Sequence, residues 1–309
     1  MTARASPPAV VTARLTKEFA SGVGVIDLDL DVPSGTVYGF LGPNGAGKTT
    51  TLRMLVGTLR PDRGRALVVG LDPARDEVAI KRQIGVLPSD PSFPLHHDGA
   101  HLVRLIGRLR GEADAVVGRA RDLAERLDLD LERPAGELSL GNRQKLGVVL
   151  ALAHQPVLAI LDEPSSGLDP LMQREVDGLL REMAARGGTV LLSSHSLAEV
   201  ERVADHVGFI RAGRLIEQAP LTELAARAVR RASFTFATRV PPDAFTRVPG
   251  VPDVAGADQR AGVTVTWQGP AAPVLHRAGE LGALTVEARG ADLEATFLAL
   301  YGGGRAVGS

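Results

Sequence analysis

A glycine-rich loop, GPNGAGKT at residues 42–49, restricts the fold of this chain more than any other feature. It follows the apolar run TVYGF, which has the character of a strand, and it precedes TLRMLVGTL, whose apolar residues recur at helical spacing. A strand, a glycine loop and a helix in this order direct backbone N–H groups and a helix N-terminus toward one anion. The sequence therefore predicts a polyphosphate-binding loop between a strand and a helix.

The residues of this loop have separate expected roles. Lys48, one of only four lysines in the chain, is expected to reach the terminal phosphates. The Thr49 hydroxyl is expected to bind Mg²⁺. The other residues expected to surround the polyphosphate are Gly42, Pro43, Asn44, Gly45, Ala46, Gly47 and Thr50.

Two carboxylates end a second apolar run, VLAILDE at residues 157–163. A buried carboxylate is costly unless a positive charge meets it, and Mg²⁺ beside a phosphate loop would supply that charge. Asp162 is therefore expected on the metal side, and Glu163 is expected to polarise an attacking water. Because Pro164 follows, the pair is also suited to cap a helix.

Strand-like and helix-like segments alternate around these motifs, which is typical of a parallel α/β domain. Between about residues 88 and 154, three stretches with helical spacing follow one another without a strand, so we expect an inserted helical subdomain. The pattern changes again near Pro220. We therefore predict a nucleotide-binding domain over residues 1–220 and a small α+β domain over 221–309. Helices are expected at Leu221–Arg231 and Leu293–Tyr301 in this second domain.

Charge and composition exclude several classes of function. Thirty-five basic and 36 acidic residues leave a formal net charge of −1, so we expect no nucleic-acid partner. The absence of cysteine excludes disulfides, thiolate metal sites and cysteine nucleophiles. The N-terminus lacks the pattern of a secretory signal, and the most apolar stretch is interrupted at residues 154–156. We therefore expect a cytoplasmic protein that does not cross a membrane by itself.

The segment LSLGNRQK, at residues 138–145, lies between the two motifs and opens a predicted helix. It resembles the LSGGQ signature of the nucleotide-binding subunits of ATP-binding cassette (ABC) transporters. The resemblance implies that Ser139 and Gly141 contact the γ-phosphate of ATP held by the opposite subunit. Leu140 and Asn142 stand where the family often has glycine and glutamine. Ser139 is also a suitable N-cap for the helix that follows.

Further motifs extend this resemblance over about residues 9–220. PSSGLDP, directly after Glu163, is similar to the D-loop of the family, which implies that Asp169 lies at the subunit contact. His195, at the end of GTVLLSS, matches the switch histidine of the family, which contacts the γ-phosphate and helps to hold the attacking water. A lone histidine at the end of a strand is more often structural.

Three positions match the family less closely or lie outside its motifs. Phe19 is the candidate for stacking on adenine, where the family more often has tyrosine. After IGVL the family has a glutamine that touches Mg²⁺ and relays the nucleotide state to the membrane subunit. This chain has Ser89 in that region, so Ser89 is the candidate metal ligand. A histidine cluster at residues 96–101 could also bind a metal, although no carboxylate pattern beyond Asp98 supports zinc there.

The resemblance implies an α/β fold with a P-loop NTPase core, an antiparallel β subdomain and an inserted helical subdomain. It implies an ATPase that uses ATP and Mg²⁺ and powers transport through a membrane permease on a separate chain. Two copies would associate head to tail, peripheral to the inner face of the cell membrane. The tail is similar to the accessory domain of drug-efflux cassettes, which favours export.

Two other functions stay open from the sequence. A soluble cassette ATPase acting on nucleic acid or the ribosome would need long coiled-coil insertions or a second cassette, and a basic surface, none of which is visible. A nucleotide-gated regulator without useful turnover would not need Glu163 and His195, which this chain has.

Overall fold

A computed structural model describes residues 7–20, 22, 24–227, 229–251, 253–256 and 262–289. Its backbone contacts divide the chain into two compact units, Met1–Ala219 and Pro220–Ser309. In the part of the chain that the structure describes, no helix combines the length and the apolar character needed to span a membrane.

The chain up to Pro220 alternates between strands and helices. In chain order, its elements are β1 (Val10–Glu18), β2 (Gly24–Leu28), β3 (Asp31–Val32), β4 (Val37–Leu41), α1 (Lys48–Leu55), β5 (Arg63–Val68), α2 (Glu77–Lys81), β6 (Ile84–Leu87), α3 (Gly99–Arg110), α4 (Ala113–Arg126), α5 (Leu140–Leu152), β7 (Leu158–Asp162), α6 (Pro170–Ala185), β8 (Thr189–Ser194), α7 (Leu197–Val203), β9 (His206–Arg211) and β10 (Arg214–Pro220).

An antiparallel sheet forms around β1, which pairs with β2, β3 and β5. β2 and β3 pair with different parts of one edge of β1, and β5 pairs along the other edge. In the β3 pair, Val10 lies opposite Val32 and Val11 lies opposite Asp31. Apolar side chains on one face of these strands are buried, among them Val10 and Leu15. The predicted antiparallel β subdomain is confirmed.

A six-stranded sheet in the order β10-β9-β4-β8-β7-β6 forms the centre of the first unit. The neighbouring pairs from β9 to β6 are parallel. β4, β7 and β8 are buried along their whole length, as their continuous apolar sequences predict for strands covered on both faces. Because parallel strands end at the same edge of a sheet, the residues that follow β4, β7 and β8 meet there.

The chain between β6 and β7 forms α3, α4 and α5 and, within the described residues, no strand. Asp98 caps α3 by accepting a hydrogen bond from the His101 backbone N–H, and Gly111 ends α3 in the left-handed conformation. Buried apolar side chains on the three helices pack together, including Leu102, Val116 and Leu146. This stretch is the predicted helical insertion.

The second unit is α+β in its described part. Its elements are α8 (Leu221–Arg227), β11 (Val229–Phe236), β12 (Asp253–Gly256), β13 (Gly262–Gln268), α9 (Ala272–Glu280) and β14 (Ala283–Arg289). The strands form an antiparallel sheet in the order β12-β13-β11-β14. Phe234, Phe236, Phe245, Trp267 and Val274 form its buried core.

One predicted helix of the second unit was too long. It was expected to reach Arg231, but α8 ends at Arg227 and β11 already begins at Val229. Residues from Arg231 onward pair with both β13 and β14, and Ala232, Phe234 and Phe236 alternate into the core. These long-range strand pairs outweigh the local helical preference of the segment. The predicted helix Leu293–Tyr301 lies outside the described residues.

Candidate nucleotide site

The glycine loop leaves the buried strand β4 after Leu41 and enters α1 at Lys48. Gly45 and Gly47 have φ angles of 78° and 109°, which favour glycine over any residue with a Cβ. At Gly42 an added Cβ would lie 2.3 Å from the carbonyl oxygen of Ile210. Backbone conformation and close packing therefore require glycine at three positions of the loop.

The Lys48 side chain is buried within this loop. Its Nζ donates hydrogen bonds to the carbonyl oxygens of Gly42, at 2.7 Å, and Pro43, at 3.3 Å. It also lies 3.7 Å from Glu163 Oε1. The lysine ammonium is thus held among loop carbonyls beside a carboxylate, where an anion that entered the loop would meet it.

A hydroxyl and a carboxylate meet beside the loop. Thr49 Oγ1 donates to Asp162 Oδ2 at 2.7 Å, and Ser193 Oγ donates to the other carboxylate oxygen of Asp162. Asp162 lies directly opposite Ser193 across the parallel pair β7–β8, and both are buried. Carboxylate and hydroxyl oxygens are ligands that suit Mg²⁺, so the donor set of Thr49 and Asp162 fits this ion.

The Glu163 carboxylate lies between the lysine and the histidine expected from the sequence. Its Oε1 is 3.7 Å from Lys48 Nζ and 3.3 Å from His195 Nδ1. His195 is brought there because it directly follows β8, the strand beside β7. Its side chain is half exposed, while Glu163 is mostly covered. The carboxylate and the imidazole are in direct contact at the edge where the strands end, and one water molecule beside them can contact both.

Two hydrogen bonds hold the backbone of Glu163, and the sequence indicated neither of them. The Glu163 N–H donates to Ser193 Oγ at 3.1 Å, and its carbonyl oxygen accepts from Gln144 Nε2 at 3.0 Å. Glu163 has a φ angle of 52°, in the left-handed region that non-glycine residues seldom adopt. A polar residue among the apolar residues of α5, and a serine ending a buried strand, were the available signals for Gln144 and Ser193.

The signature segment packs against the loop that follows Glu163. Ser139 caps α5 by accepting a hydrogen bond from the Asn142 N–H, at 3.2 Å. At Gly141 an added Cβ would lie 3.0 Å from the Gly167 carbonyl oxygen. Among the described residues, neither Ser139 nor Gly141 hydrogen-bonds to the glycine loop.

Asp169 is an exposed helix cap in the isolated chain. Its carboxylate accepts hydrogen bonds from the N–H groups of Leu171 and Met172 at the start of α6. These backbone hydrogen bonds, led by that from Met172, lower the pKa of Asp169. Asp169 is therefore held as a carboxylate at the helix N-terminus.

The remaining candidates do not join the cluster around Asp162. Phe19 is partly exposed, with Lys17 Nζ 5.9 Å from the centre of its ring. Ser89 is exposed after β6, and within the described part of the chain it hydrogen-bonds to neither Thr49 nor Asp162. His97 and His101 stack on each other, but the described residues contain no group of three or more metal-ligating side chains.

Comparison with known proteins agrees with this geometry. A profile described as ABC transporter matches residues 25–166, which include the glycine loop, the signature segment and Asp162–Glu163. The chain is 36% identical over 224 residues to the bacitracin transport ATP-binding protein BcrA of Bacillus licheniformis, across 71% of this chain and 72% of that protein. This chain belongs to the ABC transporter family.

Other members of the ABC transporter family are similar over the same part of the chain. The daunorubicin resistance ATP-binding protein DrrA3 of Streptomyces coeruleorubidus is 39% identical, across 68% of this chain and 67% of that one. A solved ATP-binding subunit of an ABC transporter superposes with a TM-score of 0.66 at 28% identity, covering 70% of this chain and 91% of that structure. The chain is therefore an ATP-binding and ATP-hydrolysing subunit of an ABC transporter, and the expected P-loop NTPase fold is confirmed.

Proposed function

We propose that this ABC subunit drives export through a membrane permease on a separate chain, by hydrolysing Mg²⁺-ATP as a head-to-tail homodimer at the inner face of the membrane. The observation that carries the proposal is the position of Glu163 between Lys48 and His195, beside the Thr49–Asp162 pair. Relatives named for Nod factor export and daunorubicin resistance support export as the direction.

Each residue of the cluster has one role in this proposal. Lys48 binds the β- and γ-phosphates, which replace the carbonyl oxygens of Gly42 and Pro43 as its partners. Thr49 and Asp162 hold Mg²⁺, which neutralises phosphate charge when bound. Glu163 accepts the proton of the attacking water, and His195 orients that water from the exposed side.

The signature segment supports action between two chains. Gly141 packs on the loop after Glu163 in its own chain, while Ser139 is exposed and Leu140 is more than half exposed at the N-terminus of α5. A helix N-terminus with a serine cap is a suitable site for a phosphate. In a head-to-tail pair each signature would meet the ATP in the other chain's glycine loop, with Asp169 at the contact.

A groove beside Ser89 supports the permease contact. Its volume is about 590 Å³, and apolar residues of β6 and the helical insertion line it, including Leu87, Phe93 and Leu109. Lys81 and Arg82 line the same groove. An apolar permease segment with an acidic side chain would complement this surface. Because the groove lies beside the loop after β6, a permease segment bound there would respond to the nucleotide state through that loop.

The second unit has an accessory role in this proposal. Its described residues bury their own aromatic core and include none of the side chains around Asp162. We assign to residues 221–309 a role in bracing or regulating the dimer, and to residues 1–220 the ATPase, with the helical subdomain at about 88–154.

The Glu163→Gln variant tests the proposed chemistry. The amide keeps the shape of the side chain but is a far weaker base, so we expect hydrolysis to fall about 100-fold or more while ATP stays bound. Steady-state hydrolysis and the affinity for a fluorescent ATP analogue measure the two effects. Glu132→Gln, at an exposed glutamate away from the cluster, is the matched control. Hydrolysis at the wild-type rate by Glu163→Gln would contradict the role of Glu163 as the base.

A further inference from the structure

Gln144 is a buried amide on a helix whose other buried side chains are mostly apolar. It is 2% exposed, whereas Leu146, Val148 and Val149 fill the neighbouring buried positions of α5. A buried amide is costly unless it is hydrogen-bonded. Gln144 meets this requirement through a residue outside its own helix, because its Nε2 donates to the Glu163 carbonyl oxygen at 3.0 Å.

The backbone that Gln144 holds is a strained one. A non-glycine residue with a φ angle near 50° persists only when its surroundings determine it. At Glu163 those surroundings are Ser193, which accepts from the N–H, and Gln144, which donates to the carbonyl oxygen. The direction of the Glu163 carboxylate toward Lys48 and His195 depends on that backbone conformation.

The same helix carries the signature segment at its N-terminus. Ser139 caps α5, and Gln144 follows in the second turn, so one rigid element joins them. The start of the helix also packs closely on the loop after Glu163, where Gly141 lies against the Gly167 carbonyl. One helix therefore connects the N-terminus of α5 to the peptide of Glu163 through a hydrogen bond and a close packing contact.

In the head-to-tail dimer, two nearby parts of the start of α5 face different ATP molecules. Ser139 and Gly141 face the ATP in the partner's loop, while Gln144 contacts the glutamate that acts on the chain's own ATP. We propose that Gln144 is a positioning residue that links the two sites: it makes the orientation of Glu163 in one site depend on ATP at the other. This inference rests on the proposed dimer.

The test compares two glutamines that hold the same loop. Gln144 donates to the Glu163 carbonyl, and Gln173 donates to the Leu168 carbonyl, also at 3.0 Å. Methionine has a similar length to glutamine but cannot donate. For Gln144→Met we expect kcat to fall roughly 10- to 100-fold, with KM for ATP within about threefold of wild type. We also expect the Hill coefficient for ATP to fall toward about 1. Gln173→Met should keep the wild-type Hill coefficient.

Two further measurements keep the outcome unambiguous. Gln144→Leu also lacks a donor and is apolar like the neighbouring buried residues of α5, so it should repeat the loss if Gln144→Met does not fold. Thermal unfolding and ATP-analogue binding report the integrity of each variant. A folded Gln144 variant with wild-type kcat and Hill coefficient would overturn this inference and leave the proposed function standing. A wild-type protein that hydrolyses ATP without cooperativity would overturn the link, whereas the proposed paired sites are tested separately by the ATP-dependent mass of Glu163→Gln.

Discussion

Two groups of residues in this chain are expected to contact ATP, and they differ in how they are held. Lys48, Thr49, Asp162 and Glu163 contact one another within a single chain, at the common edge of β4 and β7. Ser139 instead hydrogen-bonds only to the start of its own helix among the described residues. The first group is assembled by the fold itself. The second group makes no hydrogen bond to the first within the described chain, so the proposed contact of Ser139 with ATP requires a second molecule.

Lys48→Ala tests the assembled group and should have the largest effect. The change removes the only cation held within the loop in the described structure, so we expect hydrolysis to fall about 1,000-fold and ATP affinity to weaken. Hydrolysis and ATP-analogue binding measure the two losses. Lys81→Ala, at an exposed lysine paired with Glu77, is the control and should keep both. Wild-type turnover in Lys48→Ala would place the site elsewhere.

Substitutions of Ser139 test the group that needs a partner. Ser139→Ala should lower hydrolysis about 100-fold and leave ATP affinity of the single chain unchanged, because its phosphate contact is made across the dimer. Ser139→Asp separates this role from capping: aspartate caps α5 equally well but repels a phosphate. Ser139→Asp should thus retain the stability that Ser139→Ala loses, and still be inactive.

Mixing the variants sharpens the same comparison. A Lys48→Ala chain paired with a Ser139→Ala chain contains one composite site with both groups intact. Hydrolysis by the mixture above that of either variant alone is expected from the two-fold geometry. A mixture no more active than its components would contradict the assignment of Ser139 to the partner's ATP.

A smaller effect is expected at low pH from His154, which links the end of α5, the helix that Ser139 caps, to the central sheet. It follows α5, and its Nε2 contacts the Ile84 carbonyl of β6 at 3.2 Å. Burial, with nearby Arg110, lowers the pKa of His154 from 6.5 to about 4. Between these values the unfolded chain binds the proton more readily than the folded one, so stability is complete above pH 6.5 and falls as the pH drops toward 4.

The measurement for His154 is unfolding by urea at several pH values. Because the ring is not fully buried, we expect wild type to lose about 2 kcal/mol more than His154→Gln between pH 7 and pH 4. His96→Gln, at an exposed histidine, should follow wild type. Parallel curves for wild type and His154→Gln would show that protonation of His154 does not weaken the attachment of α5.

The sequence predicted most of what is local in this molecule. The glycine loop, the strand ending at Asp162 and the helix capped by Ser139 depend on neighbouring residues, and the structure has each of these elements. The contacts of Gln144 and Ser193 with Glu163 join residues 19 and 30 positions apart, so no local pattern indicated them. Only the end of the predicted helix Leu221–Arg231 was wrong, for the same reason: residues 229–231 belong to β11, whose pairing with β13 and β14 decides their conformation.

The departures from the family pattern remain predictions about function. Ser89 stands where the family resemblance led us to expect glutamine, and it is exposed after β6, so the Thr49–Asp162 hydrogen bond is the contact observed at the proposed metal site. Phe19 is exposed enough to stack on a base, with Lys17 beside its ring. Neither position is determined by packing, so burial and hydrophobic patterning could not specify their roles.

The most direct test of the account is the mass of Glu163→Gln in solution, measured by light scattering with and without ATP and Mg²⁺. With hydrolysis blocked and the glycine loop intact, ATP should join the assembled group of one chain to the signature segment of another. We expect a monomer without nucleotide, a dimer with ATP and Mg²⁺, and a monomer again when the variant also carries Ser139→Asp. A Glu163→Gln protein that binds ATP and stays monomeric at every ATP concentration would contradict the division of the site between two chains.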